Sequence, residues 1–560
     1  MMKTIRVLVS CTAILVWMAM GVCRADVAST KHNLSVNGPG GIKATVESQI
    51  CVFCHAPHNS SPSAPLWNRR SPGNTYTPYT SSTAKAIAGQ PTGASLTCLS
   101  CHDGTIALGE LLSRTVKVPM AGGAITMPAG NSNIGTDLSD DHPVSIAYTA
   151  ALVAARNGEL VDPSTLAGKV KLDKQGQLQC TSCHDAHDNT NGKFLVIPNT
   201  ASALCVSCHA KSGWSGSDHK LSVATWNGVG TAPWPHTSGT TVAANACESC
   251  HRPHSAGGRK SLLNVLAEEG NCFTCHNGNV AAKNVQAEFN KISTHPVAVT
   301  TGVHDMTEPA TIQSRHVECD DCHNPHAANH TVGTAGGSLA GALAGVRGVS
   351  ISGTEVKPST AEYQICFRCH ADSTGKPAPY TNRQFVQTNT RLEFDPVNPS
   401  FHPVAGPGRS AKVPSLIAPW TVLSRVDCSD CHNNNAGLGA GGTGPNGPHG
   451  STNIALLERP HALTSTPTAG DICYKCHSQS VVTKEAPHNR SAHLRYGCKA
   501  CHDPHGISAT QGNTINNSRL INLDTDDNKP VGNPPKLYVD TVARKCYLSC
   551  HGQSHNGDSY

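Results

Sequence analysis

The sequence predicts a chain of mostly irregular loops with short α-helices and little β, arranged in repeated units around a core that side chains do not supply. Three observations carry this expectation. Only 4% of the 560 residues are aromatic and 38% hydrophobic, while 51 are Gly and 36 Pro, which is too little apolar volume for a large side-chain core. Beyond the first 25 residues, the cysteines occur only as close pairs, each followed by histidine. These pairs recur with flanking phrases that repeat along the chain.

The N-terminus carries Lys3 and Arg6, then an apolar run from Val7 to about Met20, then Val22-Cys23-Arg24-Ala25 before Asp26. This reads as a signal peptide over 1-25, cut after Ala25, so the mature chain is expected in the periplasm, at the outer-membrane surface or outside the cell. No second apolar stretch reaches spanning length, so no transmembrane segment is expected after cleavage. A lipid anchor at Cys23 is the rival reading, but Val22 is bulky where such cleavage sites need a small residue.

Eleven cysteine pairs have the form C-x-x-C-H: Cys51, Cys54 and His55; Cys98, Cys101 and His102; Cys180, Cys183 and His184; Cys205, Cys208 and His209; Cys247, Cys250 and His251; Cys272, Cys275 and His276; Cys319, Cys322 and His323; Cys366, Cys369 and His370; Cys428, Cys431 and His432; Cys473, Cys476 and His477; and Cys498, Cys501 and His502. The twelfth is longer by one residue, with Cys546, Cys550 and His551. C-x-x-C-H is the attachment signature of c-type haem. Two thiols on one short helical turn can add to the two vinyl groups of one porphyrin, and the adjacent His points at the iron as proximal ligand. Structural zinc also uses paired C-x-x-C knuckles, but it requires no His after the second Cys. Redox dithiols and disulfides require none either. With 31 His in 560 residues, twelve such placements by chance are negligible. Twelve covalently bound haem c groups are expected.

Nineteen His remain after the twelve proximal ones, whereas Met120, Met127 and Met306 are the only mature methionines. Bis-histidine coordination is therefore expected, with low potentials, since Met/His ligation is the arrangement that raises them. A second His follows the motif by three residues in His55-Ala-Pro-His58, His184-Asp-Ala-His187, His251-Arg-Pro-His254, His323-Asn-Pro-His326 and His502-Asp-Pro-His505. Such a residue stays on the proximal side of its own porphyrin, so it is expected to ligate a neighbouring haem. After Cys428 a Gly-rich insert ends in Gly447-Pro448-His449, which gives His449 the same role. The phrase His-Pro-Val marks His142, His295 and His402 as upstream ligands, and His32, His219 and His493 occupy comparable positions. The twelve distal candidates are thus His32, His58, His142, His187, His219, His254, His295, His326, His402, His449, His493 and His505. Their competitors are His236 against His219, His316 against His295, His461 against His449 and His488 against His493, with His304, His330 and His555 as spares.

Aligned on the motifs, the chain resolves into six units whose paired starts are 51/98, 180/205, 247/272, 319/366, 428/473 and 498/546. The expected boundaries are 26-134, 135-212, 213-282, 283-374, 375-478 and 479-560, each unit holding one haem pair. Gly333 to Gly348 and Gly437 to Gly450 are expected as inserted surface loops. Outside the motifs, Ser145 to Asn157, Ser261 to Glu269 and Val280 to Lys291 are the expected helical stretches. This arrangement resembles the paired-CxxCH (doubled CxxCH) family of multihaem c-type cytochromes, found in metal-respiring bacteria, from His32 to His551. The resemblance implies a multihaem cytochrome c fold of six paired-haem repeats around a haem core, exported, with electrons passing between closely packed haems. The unit at Cys428, which lacks the compact His-x-Pro-His phrase, departs most from the pattern.

Removing Lys3, Arg6 and Arg24 with the signal leaves 40 basic against 38 acidic residues. Haem propionates would take the holoprotein to roughly −10 when ferric and −22 when ferrous. No basic run is present, so nucleic acid is not an expected partner. Other cytochromes or outer-membrane conduit proteins are, with extracellular metal oxides as candidate acceptors. The leading expectation is an electron-transfer protein with no catalytic residues. The alternatives are a terminal multihaem reductase with one open haem and a homo-oligomeric subunit of an extracellular cytochrome filament.

Overall fold

A computed structural model describes residues 27–61, 64, 66–123, 126–297, 305, 307–311, 316–334, 338–550 and 552–560. The segment 1-25 with Cys23, together with His304, Met306 and His551, lies outside the described residues. The chain divides into two compact units, one formed by Met1–Ala210 with Pro253–Leu262 and the other by Lys211–Arg252 with Leu263–Tyr560. Both are loop-rich, with short helices and two-residue ladders. No helix among the described residues is long and apolar enough to cross a membrane.

In the first unit the longest helix, Gly93–His102, carries a whole motif. Strands β1 (Ile146–Ala147) and β2 (Gln177–Leu178) pair antiparallel, with Ile146 opposite Leu178. Apolar packing is confined to small clusters, Ala44, Val52, Phe53, Leu111 and Val118 in one and Tyr76, Leu99 and Leu138 in another. The fully buried Arg69 donates to the carbonyls of Ser100, Ala107, Leu108 and Glu110. A buried cation surrounded by carbonyl oxygens recovers much of its lost hydration, and here it ties the 107–110 loop to the helix.

The second unit repeats a strap-like pairing. Strand β3 (Ser293–Thr294), just before His295, pairs with β7 (Gly450–Ser451), just after His449. Strand β6 (Ser400–Phe401), just before His402, pairs with β8 (Gly506–Ile507), just after His505. Each ladder brings an upstream His-Pro phrase against a Pro-His phrase more than a hundred residues away. The strands β4 (Gly348–Val349) and β5 (Glu355–Val356) form a local hairpin. The C-terminus is a four-stranded sheet of β9 (Asn528–Lys529), β10 (Tyr538–Asp540), β11 (Lys545–Cys550) and β12 (Gln553–Ser559). This sheet is the largest element that the sequence reading did not anticipate. A cavity of about 3220 Å³ runs through the second unit, lined by motif cysteines and histidines from Cys272 to Cys550. It is several times the volume of an ordinary ligand pocket.

The expected helices are largely replaced. Ser145 adopts φ +58° and enters β1, so only Ala150–Ala155 is helical, capped by the Thr149 hydroxyl accepting from the Leu152 amide. Ser261 and Leu262 adopt φ +56° and +52°, which breaks the second stretch; a helix forms later, at Glu268–Phe273, and leads into the Cys272 motif. Of 280 to 291 only Gln286–Asn290 is helical, as a 3-10 turn. In the first two cases a left-handed residue overrides the weak local preference.

Candidate haem-binding sites and axial histidine pairs

The regular motifs begin on a helical turn. At nine of them the amide of the motif His donates back to the carbonyl of the first Cys, as from His55 to Cys51 (2.8 Å), His184 to Cys180 (2.9 Å) and His432 to Cys428 (2.8 Å). The other two, at Cys98 and Cys366, lie within longer helices. The sequence arranges its own caps. The backbone amides of Gln179, Glu318 and Asp427 each donate to the side chain of the residue three positions on, Ser182 (3.1 Å), Asp321 (2.9 Å) and Asp430 (2.8 Å). This reciprocal N-terminal bonding closes the turn on which both thiols sit.

Each of ten motif histidines faces a second imidazole at nearly one distance. In the first unit the ring centres of His55 and His187 are 6.1 Å apart, and those of His102 and His32, His184 and His254, and His209 and His142 are each 6.2 Å apart. In the second unit the separations are 6.2 Å for His251 and His326, 6.1 Å for His276 and His219, 6.0 Å for His323 and His449, 6.2 Å for His370 and His295, 6.3 Å for His432 and His505, and 5.9 Å for His502 and His488. His477 lies close enough to His402 to feel its charge.

The interplanar angles of these pairs run from 7° to 76°, so ring stacking does not set the distance. A true stack in the same protein, His32 on Phe194, closes to 4.1 Å. A metal bonded to one nitrogen of each ring at about 2 Å, with each nitrogen about 1 Å from its ring centre, separates the centres by roughly 6 Å whatever the twist about the bond. The residues present therefore fit a haem iron held between two imidazoles.

The Nδ1 atoms are anchored in the manner expected of ligands that bind through Nε2. Proximal His102, His184, His323, His432 and His502 engage the carbonyls of Ser132, Lys193, Ala342, Ala455 and Arg519 at 2.7 to 2.9 Å, and His477 engages the Ser415 hydroxyl. Among the distal set, His32, His219, His295 and His402 reach the carbonyls of Ala186, Pro325, Pro448 and Pro504. Each of these carbonyls belongs to the residue just before His187, His326, His449 or His505. One His thus orients on the backbone of another. His142 makes the equivalent link through its amide, which donates to the Pro253 carbonyl (2.8 Å). His254 and His505 instead engage the carboxylates of Asp141 (3.0 Å) and Glu393 (3.1 Å).

Burial, assisted by neighbouring imidazoles, lowers His276, His370, His432, His477 and His502 to about 4 and His449 to about 3. These rings are neutral at pH 7, the form a metal requires. His505 is the exception: burial lowers it, but the charge and hydrogen bond of Glu393 outweigh that and raise it to about 9.

Thiols of successive motifs also meet. In the first unit Cys54 lies near Cys101, Cys98 against Cys180, and Cys183 near Cys208. In the second unit Cys250 lies near Cys275, Cys272 against Cys319, Cys322 near Cys369, Cys366 against Cys428, Cys431 near Cys476, Cys473 against Cys498, and Cys501 near Cys550. Burial first, and then the neighbouring thiol, pushes Cys54, Cys183, Cys250, Cys431 and Cys501 up to about 12.

Several sequence expectations need correction. His58 is exposed and meets no described motif histidine. The later follower residues each face the first motif of the preceding pair. His488, read as a competitor of His493, is the ring facing His502. His555, read as a spare, stands 6.3 Å from His493. The remaining competitors are held elsewhere: His236 by the Glu248 carbonyl (3.0 Å), His316 by Glu308 (3.0 Å) and His461 by Asp471. The grouped Glu308, His316 and Asp321 are neutralised by Arg347 and the buried Arg368, as an ion-pair network would be. His330 is exposed beside Asp218. The exchange of His488 and His555 was signalled only by their proximity to the last two motifs.

A loop-rich fold whose paired thiols and histidines line its interior defines a c-type cytochrome with several covalently bound haem c groups, a protein of electron transfer. A family model described as the doubled CXXCH motif matches residues 174–213 and 240–281, which supports a likeness to the paired-CxxCH multihaem cytochromes. A comparison with curated proteins finds no match.

Proposed function

We propose that this protein is a dodecahaem c-type cytochrome that transfers electrons through a chain of bis-His haems, in the periplasm or at the cell exterior, in extracellular or metal respiration. The observation that carries the reading is the constant spacing of about 6 Å across ten pairs of imidazoles. When bound, haem c supplies a one-electron ferric/ferrous couple.

The residues of the chain do the rest. The paired thiols would hold each macrocycle and the two facing imidazoles would hold its iron. Anchored Nδ1 atoms set ring orientation, and burial keeps His276, His370, His432, His449, His477 and His502 neutral. The thiol contacts support a file in sequence order within each unit: three successive contacts join the four motifs of the first unit and seven join the eight of the second. They also support the six haem pairs, since contacts between second cysteines within a pair alternate with contacts between pairs.

The N-terminal signal supports export, and partners would be other cytochromes or outer-membrane conduit proteins docking through small transient interfaces. Intact mass of the secreted holoprotein tests the haem count, and ferric and ferrous spectra test the coordination. Twelve haems, all low-spin, are expected. High-spin ferric iron that responds to nitrite or hydroxylamine would replace this reading with that of a terminal reductase.

A further inference from the structure

At several motifs a buried or largely buried cation donates to the carbonyl just before the second Cys. In the second unit Arg368 donates to the Asp321 carbonyl (2.9 Å), before Cys322, and Lys475 to the Asp430 carbonyl (2.6 Å), before Cys431. In the first unit Arg69 donates to the Ser100 carbonyl (3.0 Å), before Cys101. The charges are matched differently. Arg368 also pairs with the carboxylates of Glu308 (2.8 Å) and Asp321 (3.1 Å), and Lys475 with that of Glu458 (2.9 Å). Arg69 is fully buried, and among the described residues no carboxylate forms an ion pair with it.

Backbone carbonyls use every donor of that guanidinium. Nε and Nη2 both donate to Ser100 (3.3 and 3.0 Å), Nη1 to Leu108 (2.9 Å) and Glu110 (3.4 Å), and Nη2 also to Ala107 (3.0 Å). A haem propionate would find no donor left there. Nearby carboxylates are engaged elsewhere, Glu110 by Arg70 and Lys117 at 2.9 Å each, and Asp103 by the Tyr76 hydroxyl (2.7 Å) and Asn74 (3.0 Å). The Arg69 charge reaches Cys54 and Cys101, one thiol from each motif of the first pair, and at Cys101 it outweighs that of Asp103. At Cys322 and Cys369 the order is reversed, and Asp321 outweighs Arg368. Arginine keeps its charge when buried. Carbonyl dipoles soften the field of a cation but carry no net charge, whereas a carboxylate cancels it. Reducing a ferric haem adds one negative charge, so an unmatched cation in a low-dielectric setting favours the ferrous form.

We propose that Arg69 is an unmatched buried charge that raises the potential of the first haem pair, so that electrons in the first unit collect there. The inference rests on the multihaem reading above. In each transfer a ferrous neighbour gives one electron to a ferric haem of that pair and itself becomes ferric. The test uses the secreted holoprotein, with intact mass for haem count and a spectroelectrochemical titration for potentials. Wild type with twelve haems checks the underlying reading by itself. In Arg69→Gln, two haems' worth of the absorbance change at the high-potential end is expected to move to lower potential, by on the order of tenfold in the ferrous to ferric ratio. Arg69→Lys, which keeps the charge, is expected to stay nearer to wild type. An Arg69→Gln titration that overlays the wild type overturns the inference. So does an equal fall in Arg69→Lys, which would leave the residue as a tie for the 107–110 loop and no more. If Arg69→Gln carries fewer than twelve haems, Ser100→Asp decides, because it gives Arg69 the kind of partner that Asp321 gives Arg368. A fall in potential there sustains the inference, and an unmoved titration overturns it.

Discussion

In the first five pairs the first motif faces a second imidazole from the next pair, and in the sixth it does not. His187, His254, His326 and His505 each follow one motif by three residues, His449 follows its motif across a longer loop, and each faces the first motif of the pair before it. At the N-terminal end His58 holds the same local position and is exposed. In the sixth pair His488, five residues before His493, faces His502 instead. The first five pairs are thus interlocked through follower rings, while the first motif of the sixth is met by a ring from its own segment.

Withholding the haem breaks this comparison altogether. The apolar clusters hold only three to five buried residues each, too few to offset the conformational entropy of so long a chain. Haem-free protein is expected to show irregular circular dichroism and no cooperative unfolding transition. A cooperative native fold would refute the cofactor core.

His254→Gly removes an interior connector. One high-spin haem is expected, together with a clear fall in thermal midpoint, because the contact with Asp141 is lost as well as the ligand. His254→Met, which keeps a ligand, is expected to raise one potential by on the order of 0.1 V in a spectroelectrochemical titration. His488→Gly, at the closed end, is expected to give the same single high-spin signal with a smaller fall in midpoint. Equal falls would mean that interlocking adds no stability.

Acid gives a milder effect. His276, His370, His432, His477 and His502 stand at about 4 in the fold against an ordinary 6.5. The unfolded chain therefore binds more protons below pH 6.5, and stability is expected to be full above that value and to fall as pH drops towards 4. Denaturant midpoints between pH 7 and 4 measure it, and a flat profile would contradict the burial of these rings. His58→Ala is expected to change neither spectrum nor midpoint. A high-spin signal from that variant would show that the N-terminal end is interlocked too.

The corrections have a common origin. Candidate distal ligands carrying a phrase, such as His142, His295 and His402, were legible because a Pro on one side and a long-range partner on the other leave a sequence mark. His236, His316 and His461 had equal claims by spacing. Each lost to a rival because a carbonyl or carboxylate near it in space, Glu248, Glu308 or Asp471, captured the ring. No spacing rule contains that information.

By itself the sequence determined the attachment chemistry, the pairing of the motifs and the poverty of the side-chain core, since covalent bonds and composition are local properties. It also determined that a follower histidine must serve a neighbour, because three residues cannot carry a ring around its own porphyrin. The tertiary structure alone decided which neighbour it serves. Two-residue ladders such as β3 with β7 and β6 with β8 join segments more than a hundred residues apart. So short a pairing is set by what it brings together, and the axial partners were fixed only when the chain closed.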